Sequence, residues 1–261
     1  MKVCVCVKHI PDPTMQMVVD PGTKRLIRDR GQSILDPSDE FSVETALKLV
    51  EEHGGETVAI SMGPDGADDA LRRAMAMGID RATLIIDDAL AGSDVVSTAR
   101  ALAAVLKNEQ PDLVICATES TDAYTGMVPG TLAELLDLPL VSFARSVTVD
   151  GSSISAQQDT ESGYRTVQAA LPALLTVTAS IAEPRYPSFK GMMQAKKKQL
   201  ERIDVAALGL DASSVGEAGA REKVLAVEQV HQEKQVRTVV DDGSGDSVVE
   251  IVAFLKSIQV V

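Results

Sequence analysis

Short apolar runs alternate with stretches of helical spacing along the first half of the chain. Four runs predict buried strands: Lys2–Lys8, Thr57–Met62, Ala82–Ile86 and Leu113–Thr118. Apolar residues at helical spacing predict helices that begin near Asp36, Gly66 and Gly92 and one that contains Leu132. Because strand and helix alternate four times, we expect an open, mostly parallel α/β sheet, Rossmann-like, with helices on both faces.

The alternation of strands and helices stops after Pro139. Four strands joined by turns are predicted there: Ser142–Val149, Ser153–Gln157, Tyr164–Ala169 and Leu174–Ala179. We expect them to extend the sheet with added antiparallel pairs.

From Asp211 to Gly245 the composition becomes polar and charged, which is typical of an extended C-terminal arm, and Asp246–Ile258 predicts a short amphipathic helix. Such a helix cannot bury its apolar stripe alone, so it must dock on its own domain or on another chain. The pattern therefore predicts a domain of residues 1–210 and an arm of residues 211–261.

Charge and composition narrow the function classes. The chain has 261 residues and a formal net charge of −13, so its surface repels phosphate backbones and general nucleic-acid binding is not expected. No apolar run reaches the roughly 20 residues that cross a bilayer, so we expect no direct membrane insertion. Three cysteines without C-x-x-C spacing and the lack of a secretion signal favour a cytoplasmic protein.

Recognisable catalytic signatures are missing. The G-x-G-x-x-G, G-x-x-x-x-G-K-[ST] and G-x-S-x-G patterns do not occur, and His9, His53 and His231 belong to no cluster with metal-ligand spacing. We therefore expect no catalytic residues, no metal site and no enzyme activity in this chain.

The loop after the fourth strand, residues 117–128, has the composition of an anion site. It contains small and hydroxyl residues and leads into a helix N-terminus. Backbone N–H groups and the helix dipole favour a phosphate there, and ligands of open α/β sheets bind at this edge. The alternative is an ordinary capped loop.

A second unusual segment, residues 183–200, places apolar side chains in a basic stretch punctuated by proline and glycine. Its candidate docking residues are Phe189, Lys190, Met192, Met193, Lys196, Lys197 and Lys198. Methionine adapts to varied surfaces, and a ring flanked by lysines is typical of a docking anchor. The alternative is a core-packed turn beside a solvated lysine run.

Four stretches together resemble the β subunit of electron-transfer flavoproteins over essentially the whole chain. They are VCVKHIPD from Val5, DPSDEFSVETAL from Asp36, ALRRAMAMGIDRA from Ala70, and LPALLTV from Leu171 joined with EPRYPSFKGMMQAKKK. The resemblance implies an adenine-nucleotide-binding fold and a heterodimer whose α subunit carries the redox FAD. It also implies that electrons come from flavin dehydrogenases, such as those of fatty acid oxidation, and pass to a membrane quinone oxidoreductase.

The resemblance further implies a structural AMP in this subunit. The residues it assigns to the nucleotide are Cys6, Asp36, Pro37, Ser38, Asp39, Met62, Ala117, Thr118, Glu119, Ser120, Thr121, Asp122, Ala123, Tyr124, Thr125, Gly126, Met127 and Val128. The loop departs from AMP-type members, and Asp122, Thr125 and Val128 are similar to bifurcating relatives that hold a second FAD.

Two other classes of protein compete with this interpretation. A free-standing adenine-nucleotide-binding stress or sensor protein would have the same sheet but no docking arm. An ATP-dependent hydrolase or ligase would need the triphosphate loop that this sequence lacks.

Overall fold

The fold is built on one large sheet, seen in a computed structural model that describes residues 1–28, 32–228, 236 and 238–260. In the described chain the strands are β1 Lys2–Cys6, β2 His9–Pro11, β3 Val19–Asp20, β4 Arg25–Leu26, β5 Ser33–Leu35, β6 Glu56–Met62, β7 Arg81–Ile85, β8 Leu113–Ala117, β9 Leu140–Asp150, β10 Ser153–Thr160, β11 Gly163–Ala170, β12 Ala173–Val177 and β13 Leu200–Ile203. Nine of these form the sheet in the order β11-β10-β9-β12-β8-β1-β6-β7-β13. All neighbouring pairs are parallel except β9–β10 and β10–β11.

Helices follow the strands, and several begin at the polar caps that the sequence pattern indicates. The helices of the described chain are α1 Pro37–His53, α2 Asp68–Met77, α3 Val95–Glu109, α4 Val128–Leu136, α5 Phe189–Ala195, α6 Gly216–Gly219 and α7 Asp246–Ser257. Asp36 accepts a hydrogen bond from the Ser38 N–H at the start of α1, and Asp94 accepts one from the Ser97 N–H at the start of α3. These bonds satisfy N–H groups that a helix cannot pair internally.

The sheet separates two apolar cores. One contains Val43 and Leu47 of α1 and Leu71 of α2, and the other contains Leu102 of α3 and Leu132 of α4. Strand residues alternate between them, since Val3 and Val5 face one core and Cys4 the other. The prediction of a mostly parallel α/β sheet with helices on both faces is confirmed.

Details after Pro139 differ from the prediction. β9, β10 and β11 form the expected antiparallel extension, but β12 pairs in parallel with both β8 and β9. The sequence pattern does not predict α5, which lies within the docking segment, or β13, which begins at its end. β13 is a short edge strand whose exposed Glu201 and Arg202 hide the apolar pattern of a buried strand.

The described chain divides into two units, Met1–Val227 and Glu228–Val261. The first reaches beyond residue 210, because Val215 is fully buried and the Gly216 N–H donates to the Ser93 hydroxyl. The division into residues 1–210 and 211–261 stays a prediction of domain organisation. Within the described residues, none of the helices has the length and apolarity to cross a membrane. His231 lies outside the described residues.

Candidate functional site

A cavity of about 550 Å³ opens at the carboxyl ends of the central parallel strands. Cys6 at the end of β1, Met62 at the end of β6 and Cys116 in β8 form its floor. The strand order changes direction at β1: β6 and β7 follow on one side of it, and β8 lies on the other side. Ligands of open α/β proteins bind in crevices at such switch points.

Ten of the residues predicted to contact a nucleotide line this cavity. They are Cys6, Asp39, Met62, Ala117, Glu119, Ser120, Ala123, Thr125, Gly126 and Val128. They come from β1, β6, the start of α1 and the loop after β8, so the fold brings together four stretches that are distant in sequence. Their contact with a nucleotide stays a prediction.

The other eight predicted residues do not line the cavity, and several of them hold its loop in place. These eight are Asp36, Pro37, Ser38, Thr118, Thr121, Asp122, Tyr124 and Met127. The fully buried Asp36 carboxylate accepts hydrogen bonds from the Thr121 N–H at 2.7 Å and hydroxyl at 2.6 Å. The Thr118 hydroxyl donates to the Val177 carbonyl at 3.0 Å. The loop is therefore fastened both to α1 and to β12.

We predict that Asp36→Asn lowers the free energy of unfolding by about 1–2 kcal/mol, because an amide N–H₂ then faces a buried N–H or O–H donor. Urea denaturation measures this. Asp20→Asn is the matched control, since the Asp20 carboxylate also accepts two backbone N–H groups, from Gly22 and Thr23, but at an exposed turn. Equal losses in the two variants would contradict the role given to Asp36.

Positive charge stands at one wall of the cavity. Lys8 and Arg28 both line it, and both pair with the buried Asp122 carboxylate; the Lys8 Nζ lies 2.7 Å from Asp122 Oδ1. Burial alone would raise the pKa of Asp122, but the Lys8 hydrogen bond and the charges of Lys8 and Arg28 outweigh it and lower that pKa. Two cations thus share one carboxylate at this wall, which favours an anionic group beside them, although Asp39, Asp94, Glu119 and Glu222 also line the cavity.

The cavity floor holds weak acids rather than activated nucleophiles. A hydrogen bond with Cys116, together with burial, raises the pKa of the Cys6 thiol well above its usual value. Burial and the charge of Asp36 raise the pKa of Asp39, although the Lys8 N–H donates to the Asp39 carboxylate at 2.7 Å. A protonated thiol is a poor nucleophile, so this floor suits binding rather than covalent chemistry.

Sequence reasoning missed the opposite wall. It is lined by residues 90–94 before α3, by Val95, Thr98 and Leu102 of α3, and by Glu222. The Asp94 carboxylate accepts the N–H of Ser97 at 2.8 Å and that of Glu222 at 3.2 Å, which ties the chain after α6 to this wall. This wall could have been predicted from the topology, because Gly92–Asp94 follow β7 and therefore lie at the same sheet edge as the loop after β8.

The predicted docking residues lie on α5 and the turn after it. Phe189 is 77% exposed, and Met192 and Met193 are also exposed, so these three side chains do not form a packed core. Lys190, Lys196 and Lys197 are exposed as well. Lys198 differs from them, since its Nζ donates to the Ile79 carbonyl at 2.5 Å. Docking by these residues stays a prediction.

The comparisons with known proteins all identify the same protein family. A family profile described as "Electron transfer flavoprotein domain" matches residues 23–208. The chain is 36% identical to the electron transfer flavoprotein subunit beta of Mycobacterium leprae, with 97% of each chain covered. It is 37% identical to that of Thermoanaerobacterium thermosaccharolyticum with 90% of each covered, and 32% identical to that of Bacillus subtilis with 98% of each covered.

Proposed function

The chain belongs to the electron transfer flavoprotein family, among its β subunits, and from this membership we propose that it is a nucleotide-binding carrier subunit without catalytic residues of its own. The resemblance of the four sequence stretches to this family is thereby confirmed. In the proposed complex this chain pairs with an α subunit, which carries the redox FAD. Flavin dehydrogenases supply the electrons, and a membrane quinone oxidoreductase receives them.

One observation carries the proposal, namely a cavity that is equipped to bind but not to react. Its wall contributes the cations Lys8 and Arg28, and its floor contributes the Cys6 thiol, whose raised pKa keeps it protonated. Such a site can retain a phosphate-bearing molecule for structural reasons. Within the described residues no group of three or more His, Cys, Asp or Glu side chains could hold a metal ion.

We assign an adenine nucleotide, AMP, to this cavity. Its phosphate would rest on the backbone of residues 117–128, beside Lys8 and Arg28, and its base would lie toward Cys6 and Met62. A second FAD is the alternative ligand, supported by Asp122, Thr125 and Val128 in the loop sequence. A free-standing nucleotide sensor is less favoured, since the relatives match the chain along nearly its full length as subunits.

The test is to co-express the chain with its α subunit, purify the yellow complex, denature it and identify the small molecules released. We expect one adenine compound per complex in addition to the α-subunit FAD: AMP, or a second FAD under the alternative. Release of the α-subunit FAD alone would overturn the nucleotide assignment while leaving the carrier role intact. Failure to form any complex would overturn the carrier role itself.

We predict that Gly126→Val weakens nucleotide retention roughly tenfold, because Gly126 lines the cavity with a φ of +60°, which a β-branched residue adopts only with strain. A strained loop shifts the backbone N–H groups that face the ligand. Nucleotide content after gel filtration measures the effect.

Gly151→Val is the matched control for that prediction. Gly151 has a φ of +56° with no atom near its added Cβ, and it lies in the β9–β10 turn away from the cavity. Both substitutions introduce the same backbone strain, so only the loss specific to Gly126 reports on ligand binding. Equal nucleotide content in the two variants would contradict the prediction.

A further inference from the structure

The docking segment is attached to the body of the protein at three places. It runs from residue 183 to residue 200 and carries exposed Phe189 on a helix of seven residues. A helix this short has little stability of its own, and its orientation therefore depends on what it packs against. The attachments therefore decide how Phe189 is presented.

The first attachment is a double fork from Arg185 to α1. The Arg185 guanidinium donates to both oxygens of Glu44, from Nε at 2.7 Å and from Nη2 at 3.0 Å. It also donates to both oxygens of Glu51, from Nη1 at 2.5 Å and from Nη2 at 3.0 Å. The Arg185 N–H adds a bond to Glu44 at 3.1 Å, so backbone and side chain hold the same point of the segment.

The second and third attachments involve α2. A Cβ added to Gly191 would lie 2.4 Å from the Ala76 carbonyl oxygen, which shows how closely the backbone of α5 approaches the end of α2. At the far end of α5, Arg72 Nη1 donates to the carbonyls of Ala195 and Lys198, both at 2.6 Å. These contacts fix the middle and the end of the segment.

The Arg185 fork is the attachment that holds the chain on the N-terminal side of Phe189, four residues before it, whereas the approach of Gly191 to Ala76 lies after it. Glu44 is almost fully buried and needs a cationic partner, but Glu51 is 58% exposed and does not. One edge of the guanidinium is enough to neutralise Glu44. The second carboxylate fixes the direction of the guanidinium plane, and with it the chain that leads to Phe189.

We propose that Arg185 is a positioning residue for docking: its fork to Glu44 and Glu51 holds the segment so that Phe189 meets a flavin dehydrogenase already oriented. This inference rests on the proposed function, since it takes the segment as the dehydrogenase-facing surface. Orienting the anchor before encounter removes an ordering cost from binding.

The test compares Arg185→Lys with the unaltered heterodimer in a dehydrogenase-coupled assay. An ammonium keeps the charge that Glu44 needs but cannot span two carboxylates in the plane of the fork. We expect the apparent KM of the dehydrogenase for the flavoprotein to rise roughly three- to tenfold, with kcat unchanged. Amide exchange across residues 186–194 should become faster in the same variant.

Two further variants make the result specific. Arg202→Lys is the matched control, because Arg202 contacts two carboxylates, Asp65 and Asp68, on an edge strand outside the segment. Glu51→Gln removes the negative charge and one of the two acceptor oxygens from the exposed half of the fork, and it should raise KM about twofold. This variant tests the same positioning role if Arg185→Lys folds poorly.

The outcomes separate this inference from the proposed function. A KM for Arg185→Lys no higher than for Arg202→Lys, or a raised KM with unchanged amide exchange, would overturn the positioning role. If Phe189→Ala raises KM but Arg185→Lys does not, docking stands and the positioning role falls. If Phe189→Ala also has no effect, the proposed docking surface is wrong.

Discussion

Deleting residues 246–261 is expected to weaken assembly with the α subunit by at least about 100-fold, which corresponds to about 2.7 kcal/mol of binding free energy. The physical reason is the exposed apolar surface of α7. Val248, Val249, Ile251 and Phe254 are each at least half exposed. Truncating several buried anchors of an interface commonly costs this much or more.

The deletion should leave the first unit folded, because Met1–Val227 forms its own compact unit. Titration of the purified chain with the α subunit measures affinity, and a thermal melt checks folding. Lys256→Ala provides the control, since it alters the same helix at an exposed, polar position. Unchanged affinity after deletion would remove α7 from the interface, whereas a collapsed melt would mean that α7 stabilises this chain.

Phe189→Ala is expected to lower kcat/KM for a flavin dehydrogenase about thirtyfold, equivalent to the roughly 2 kcal/mol that an interface anchor contributes. Assembly, flavin content and reduction by dithionite should stay unchanged, because Phe189 is 77% exposed in this chain. Lys190 on the same helix, and Lys196 and Lys197 just after it, are exposed and would speed the encounter with an acidic partner.

The thermal melt checks that Phe189→Ala acts on docking and not on folding. A core phenylalanine cut to alanine costs about 3–5 kcal/mol of folding stability, whereas an exposed one costs little. Phe189→Leu is the matched variant, since it keeps most of the apolar bulk and should retain most of the activity. A large loss of melting temperature with normal electron uptake would refute the docking role.

Much of the sheet could be predicted because its central strands are buried on both faces. Leu113–Ala117 is entirely apolar and buried, so its run stands out from its surroundings. The helix starts at Asp36 and Asp94 were visible because capping needs a particular chemistry at one position. β13 was missed because an edge strand needs no such pattern.

The cavity could be predicted only in part, because residue type does not reveal direction. Asp36 and Asp39 are three residues apart at the start of one helix, yet Asp39 lines the cavity and Asp36 fastens the loop. In the same way Lys198 bonds to Ile79, whereas Lys196 and Lys197 face solvent. These differences arise from packing between distant elements, which no local pattern records.

The places where the docking segment begins and ends have a consequence for protein engineering. It leaves the sheet at β12 and returns to the same sheet at β13, five strand spacings away, or about 24 Å. Both ends are thus set by the backbone pairing of a common framework. We expect that only the tip between the attachments at Arg185 and Gly191 can be exchanged for that of a relative while the contacts with α1 and α2 are kept. Under the proposed function this exchange would redirect electron uptake.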